Sequence, residues 1–227
     1  MLEWTARQAT DPEQGSDGET MAKAGKPSKV APQDRSADTR RALIDAAITT
    51  LKTEGFIGAS ARTIASRAGC NQGLVFYHFG SVAGLLLAAL DSVSSSRRER
   101  YTAAASEITS AADLVTVAAA IYSEDLDAGH ARVLAEMIAG AMSDPDLGAE
   151  VAARIAPWTQ FAQEAITTAL GDSPVASFVP AADVAYSIVA LYLGLEMLTQ
   201  LDGNRAPATA LFDHAGRLAA LLGPRAR

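Results

Sequence analysis

Residues 61–80 read Ala-Arg-Thr-Ile-Ala-Ser-Arg-Ala-Gly-Cys-Asn-Gln-Gly-Leu-Val-Phe-Tyr-His-Phe-Gly, and this stretch constrains the fold more than any other. Ser60 is placed to cap a short helix over 61–68. Gly69 breaks it where the turn wants a positive φ that other residues resist. Asn71 is placed to cap a second helix over 72–79, and Gly80 with Ser81 makes the next break. Ala65 has to be small because the second helix crosses close to the first. Ile64, Ala68, Cys70 and Val75 fill the wedge between them. This is helix-turn-helix spacing. The second helix of such a unit enters the major groove, about 12 Å wide, with its N-terminal residues at the base edges.

The rest of the chain reads as helix. About half of its 227 residues are apolar, alanine is frequent, aromatics are sparse, and no strand-like alternation persists. A first helix is expected from a cap at Asp38 or Thr39 to Glu54, ended by Gly55. Its apolar face is Ile44, Ala47, Ile48 and Leu51. A fourth runs from Ser81 to about Ala104 with Leu85, Leu86, Ala89, Leu90 and Val93 inward. Five more cover about 111–123, 128–142, 146–170, 180–201 and 207–222, separated by glycine and proline breaks. The expected fold is all-α, about nine helices. A three-helix helix-turn-helix domain over 37–80 joins a larger helical bundle over 81–227. Residues 1–36, rich in Gly, Pro, Ser, Gln and charge, read as a disordered arm.

A net charge of −7 looks wrong for a protein that binds DNA, but its distribution does not. Residues 37–80 carry five basic and three acidic side chains; residues 81–227 carry nine and seventeen. In the arm the acids come early, and Lys23, Lys26, Lys29 and Arg35 run on into Arg40 and Arg41. That basic stripe is either a solvated linker or an arm reaching phosphates or the minor groove.

The N-terminal region resembles the TetR family of bacterial transcriptional regulators. The resemblance is carried by Gly55-Phe56, Ser60, Ile64-Ala65, Ala68-Gly69, Gly73, Tyr77-His78-Phe79 and Ser81, over about residues 38–90. It implies a recognition helix beginning at Asn71, Gln72, Gly73 and Leu74. Gln72 can pair with adenine and Leu74 can meet a thymine methyl. Asn71 is either a base or phosphate contact or only a cap. Tyr77, His78, Ser60 and Arg62 are phosphate candidates, as are Arg40 and Arg41; His78 is alternatively a structural donor. The family's usual Tyr is Phe76 here and its usual Lys after Ser81 is Val82. Both departures remove contacts that position a protein on DNA without reading sequence.

Residues 181–201 are apolar almost all round, with one stripe through Val184, Ile188, Leu191, Leu195 and Leu198 and another through Tyr186, Val189, Leu193 and Met197. The last helix carries Leu211, Ala215, Leu218 and Leu222. Two such helices from each of two subunits make a four-helix homodimer interface, the arrangement that the resemblance also implies; the alternative is a monomer whose core absorbs both stripes. The resemblance further implies an effector pocket in the middle helices. Its candidate lining is Tyr122, His130, Met137, Trp158, Phe161, Tyr186 and Tyr192, residues that suit a small, largely apolar molecule. Each of them is alternatively ordinary core packing.

Other functions find little support. His78, His130 and His214 lie far apart, no nucleophile elbow or Gly-rich phosphate loop occurs, and no metal-ligand spacing is present, so neither enzyme chemistry nor a cofactor is expected. Glu124, Asp125 and Asp127 read as a solvated turn at a helix end. The longest charge-free apolar stretch, between Asp183 and Glu196, is too short to span a bilayer. The single Cys70 and the absence of an apolar leader point to the cytoplasm. The expected partners are therefore double-stranded operator DNA, a small effector and a second copy of the chain. Two rivals stand: an activator of the same fold, and a helical ligand-binding protein with weakened DNA binding.

Overall fold

The computed structural model describes residues 32–171, 178 and 180–221. Among these residues there are nine helices and no strand: α1 (Pro32–Gly58), α2 (Ala61–Arg67), α3 (Gly73–Phe79), α4 (Val82–Ala105), α5 (Ala111–Ala128), α6 (His130–Ala141), α7 (Pro145–Leu170), α8 (Ala181–Asp202) and α9 (Ala206–Ala220). Serine hydroxyls make three of the starts. Ser60, Ser81 and Ser110 each accept from an amide in the first turn, and Asp144 does the same for α7.

Two boundaries differ from the sequence expectation. α1 begins at Pro32, so Asp38 and Thr39 lie inside it rather than capping it. The Thr39 hydroxyl donates to the Arg35 carbonyl one turn back. A proline with no amide hydrogen is well suited to a first turn, where that hydrogen has no partner. Residues 32–36, assigned by composition to the arm, are therefore helix. The remainder of the arm, with Lys23, Lys26 and Lys29, and Leu222 at the other end, lie outside the described residues. α5 runs to Ala128 before Gly129, at φ +67, ends it. Glu124, Asp125 and Asp127 are thus helical, not a turn.

Gly55 interrupts α1 at φ +74, as the sequence anticipates, and one further turn follows. The break frees the Phe56 amide, which donates to Glu136 Oε2 of α6 at 2.9 Å. A β-carbon at position 55 would stand 2.7 Å from that same oxygen. The Phe56 ring lies against Gly140, where a β-carbon would meet it at 2.5 Å. A glycine on each helix lets α1 and α6 close on one another.

One core cluster spans the N-terminal helices and the near end of the bundle. Leu43, Leu51, Ile64, Val75 and Leu85 meet Val133 and Met137 of α6, with Leu147 and Val151 of α7. Burying such side chains contributes about 1.5–3 kcal/mol each, and it ties the first three helices to α4 and α6. Further along, α7 packs on α8 and α5 packs on α9.

Candidate nucleic-acid interface and a buried polar cluster

The helix-turn-helix assembles as its residue types require. Ile64, Ala65 and Val75 are buried in the wedge, with Ala68 and Cys70 packed beside them. Gly69 takes φ +67 in the turn. Asn71 Oδ1 accepts from the Gly73 amide at 2.7 Å, so its side chain supports the start of α3. A β-carbon on Gly73 would crowd that oxygen at 3.1 Å. Gln72 and Gly73 are exposed beside it.

The other DNA candidates divide. Arg41, Arg62 and Tyr77 are exposed, Tyr77 by 78%. Ser60 holds the α2 amide of Thr63 at 3.1 Å yet remains exposed. The Arg40 guanidinium sits 5.0 Å over the Phe79 ring, which fixes it beside α3. His78 is half-buried, edge-on to Tyr77. Leu74 is half-buried against the core rather than free at the rim. Phe76 is 52% exposed, whereas Val82 packs on the core.

This unit coincides with a known domain. Residues 43–89 match the family model for bacterial regulatory proteins of the tetR family. Residues 43–89 are thus a TetR-family DNA-binding domain. The chain is accordingly a DNA-binding transcriptional regulator. No curated protein sequence matches it significantly. Solved structures do. The TetR-family transcriptional regulator from Cytophaga hutchinsonii superposes with a TM-score of 0.66 at 17% identity, covering 88% of this chain and 100% of that one. The fatty acid degradation regulator FadR from Bacillus halodurans gives 0.68 at 18%, covering 86% and 97%. FadR from Bacillus subtilis in complex with stearoyl-CoA gives 0.65 at 15%, covering 79% and 96%. At such identities the likeness shows the fold.

Beyond this domain, the centre of the helical bundle is polar. Arg97 of α4 pairs with Asp125 of α5, their side chains 8% and 0% exposed. The Tyr101 hydroxyl donates to Asp125 Oδ1 at 2.7 Å and the Tyr192 hydroxyl donates to Oδ2. His130 Nδ1 stands 3.4 Å from Oδ1. The Arg97 guanidinium lies 4.8 Å over the Trp158 ring, and Trp158 donates to Ser94 Oγ at 3.0 Å. Burial alone would raise the Asp125 pKa; the His130 ring, Arg97 and the two tyrosine hydroxyls outweigh it and hold it below the ordinary value. Burial, then the neighbouring carboxylates, push the Tyr192 phenol far up, so it is a neutral donor.

Five of the seven effector candidates gather here. Tyr122, His130, Trp158 and Tyr192 touch the cluster or its aromatic wall, and Phe161 packs on Trp158 at 6.1 Å. The other two are placed elsewhere. Met137 is wholly buried in the core joining α6 to α1, and Tyr186 is 71% exposed on the outer face of α8. Sequence reasoning missed Arg97, Tyr101, Asp125 and Glu196. The signal was available: each charge interrupts an apolar helical stripe. Arg97 continues Leu90 and Val93, Asp125 follows Tyr122 by three, and Glu196 interrupts the long apolar run of α8.

Proposed function

We propose that this regulator is a homodimeric repressor, released from a palindromic operator by a small, largely apolar effector. The observation that carries the DNA reading is the exposed rim of the helix-turn-helix, where Gln72, Gly73, Tyr77 and Arg62 stand clear of the core that holds α2 and α3 in place. Gln72 is the base reader; Tyr77, Arg62, Arg41 and Ser60 are phosphate contacts.

The direct test is fluorescence anisotropy on DNA from upstream of the protein's own gene, in a salt series against a scrambled duplex. Preference for the upstream DNA with a steep salt slope is the expected result. Gln72→Ala should lower that preference by about 1–3 kcal/mol while leaving binding to the scrambled duplex unchanged. Equal, weak binding to both duplexes, followed by failure of a random-library selection, would favour the second reading, a ligand-binding protein with a weakened DNA module. Phe76 and Val82 are the residues that favour it.

α8 supports the dimer. It is, among the described residues, the one helix long and apolar enough to cross a membrane, yet only 11% of its apolar window is buried within the chain. Leu191, Leu198 and Leu218 are 51%, 63% and 66% exposed, and Ile188 and Leu211 are also exposed; Leu195 and Ala215 are half-buried. A second copy laid against α8 and α9 covers this surface, and a cytoplasmic dimer on DNA follows. Leu198→Glu combined with Leu218→Glu should convert the dimer to monomer in sedimentation velocity and abolish tight operator binding. An unchanged sedimentation coefficient would exclude this face.

Release requires an effector that binds two dimer states unequally. The B. subtilis FadR neighbour holds stearoyl-CoA, which favours a small-molecule site in the helical domain. Two routes lead from that domain to the DNA module. One is α4, which carries Arg97 and is joined to α3 by a 64° bend. The other is α6, which holds Phe56 through Glu136, while Lys52 of α1 donates to the Ala128 carbonyl at the end of α5 at 2.8 Å.

A further inference from the structure

We propose that the bundle centre at Glu196 is the effector site and that its ligand is an organic cation, an apolar molecule bearing one protonated nitrogen; this rests on the regulator reading above. Glu196 is 2% exposed, and its Oε1 has no hydrogen-bond partner. The Tyr192 hydroxyl lies close, but its single proton goes to Asp125. Among the described residues the one buried guanidinium, Arg97, is committed to Asp125 and lies over the Tyr101 and Trp158 rings. Two carboxyls therefore face one fixed cation, and the group left without a counter-charge is Glu196. An unpaired buried carboxylate is costly, and a ligand ammonium removes that cost while donating to the orphaned oxygen.

The surroundings select among cations and against anions. Arg97 Nε is also unpartnered, but an anion placed there would meet both carboxyls. A metal ion lacks its ligand set, since among the described residues no three His, Cys, Asp or Glu side chains are grouped to hold one. Aromatic faces suit an ammonium group. The Tyr122 ring packs on Tyr192 at 5.9 Å and on Phe212 at 5.4 Å. Phe212 is the inner wall of a groove of about 500 Å³ between α5 and α9. The apolar body would take this groove, whose lining also holds Thr116, Asp213 and Arg217, and the nitrogen would reach Glu196 by displacing the buried Tyr122 ring. Burial pushes the Glu196 carboxyl up to about 7, with the Asp125 charge adding to the rise and the Arg97 charge opposing it. Cation binding below neutrality therefore displaces the Glu196 proton to solvent, and the charge balances.

The test is calorimetry on the full chain with hexyl-, octyl- and decylamine, alongside the matching alcohols and carboxylates. The amines should bind at least about ten-fold more tightly than the alcohols, the effect of one charged hydrogen bond. At pH 6, in buffers of different ionisation enthalpy, amine binding should release a proton. Glu196→Gln should erase both the amine preference and the proton release while alcohols still bind, which separates loss of the site from loss of the fold. Glu196→Asp should restore part of the preference. Amines that bind no better than alcohols, carboxylates that bind best, absence of binding across the series, or a preference surviving Glu196→Gln would each overturn the proposal. Upstream-DNA binding measured in parallel keeps the two readings apart. DNA binding without amine recognition removes only the cation site; amine recognition without DNA preference removes only the regulator reading.

Discussion

Replacing Asp125 by alanine should cost about 3–5 kcal/mol of folding stability, the largest effect of any single substitution considered for this chain. The carboxylate is wholly buried and serves three donors at once: Arg97, Tyr101 and Tyr192. Its removal leaves a guanidinium 8% exposed with no counter-charge, and strands two phenol hydroxyls. The midpoint of urea unfolding measures the loss. Glu124→Ala, one residue earlier, is the control. Glu124 pairs with Arg100 at the surface, with side chains 41% and 49% exposed, and its loss should cost less than about 1 kcal/mol. Replacing the pair together, with Arg97→Met and Asp125→Leu, should recover much of the stability, because two buried charges then leave the interior as a unit. Equal costs for Asp125→Ala and Glu124→Ala would show that the cluster is not buried in solution.

Stability should fall as pH rises from 5 to 8, by about 3 kcal/mol attributable to Glu196. Its folded-state pKa of about 7 lies above the ordinary 4.5, so the folded state holds a proton that the unfolded chain has already released. The stabilisation from the neutral carboxyl is complete below the unfolded value. It is lost as pH climbs through the folded value, and nothing further changes above it. Asp125 acts in the opposite direction and in a different window. Its pKa is lowered, so its contribution is present above the ordinary carboxylate range and disappears in acid. The groups acting on Glu196 are Tyr192 on its own helix, Arg97 from α4 and Asp125 from α5; Tyr101 and His130 reach the same cluster through Asp125. Urea unfolding at stepped pH tests this. Glu196→Gln should flatten the decline between pH 5 and 8 and leave the chain more stable than the parent at pH 8. A parallel decline in the variant would assign it to other groups.

These two effects come from residues that a reading of the sequence passed over, and the reason is physical. Helical periodicity identifies which positions face inward but not what an inward charge will meet. Arg97 and Asp125 are 28 positions apart, Arg97 and Tyr192 are 95 apart, and nothing local announces their meeting. Asp125 was misplaced for a related reason. Three acids ahead of Gly129 resemble a solvated turn, but the glycine takes the left-handed cap only after the helix has carried Asp125 inside. Met137 and Tyr186 lie apart from the other five pocket candidates because a side chain on a helix does not declare which neighbour covers it. Met137 belongs to the junction with α1, and Tyr186 to the open face of α8.

What the sequence by itself determined was local. The wedge of Ile64, Ala65 and Val75, the positive φ at Gly69 and the hydroxyl cap at Ser60 all depend on interactions within a few residues. Side-chain size, glycine's freedom and capping chemistry therefore sufficed to read them. Tertiary structure alone decided three things: the close approach of α1 to α6 through Gly55 and Gly140, the burial of one guanidinium against two carboxyls, and the exposure of α8. Each depends on which distant helix arrives at a given face, and the cost or gain of a buried charge exists only once that neighbour is in place.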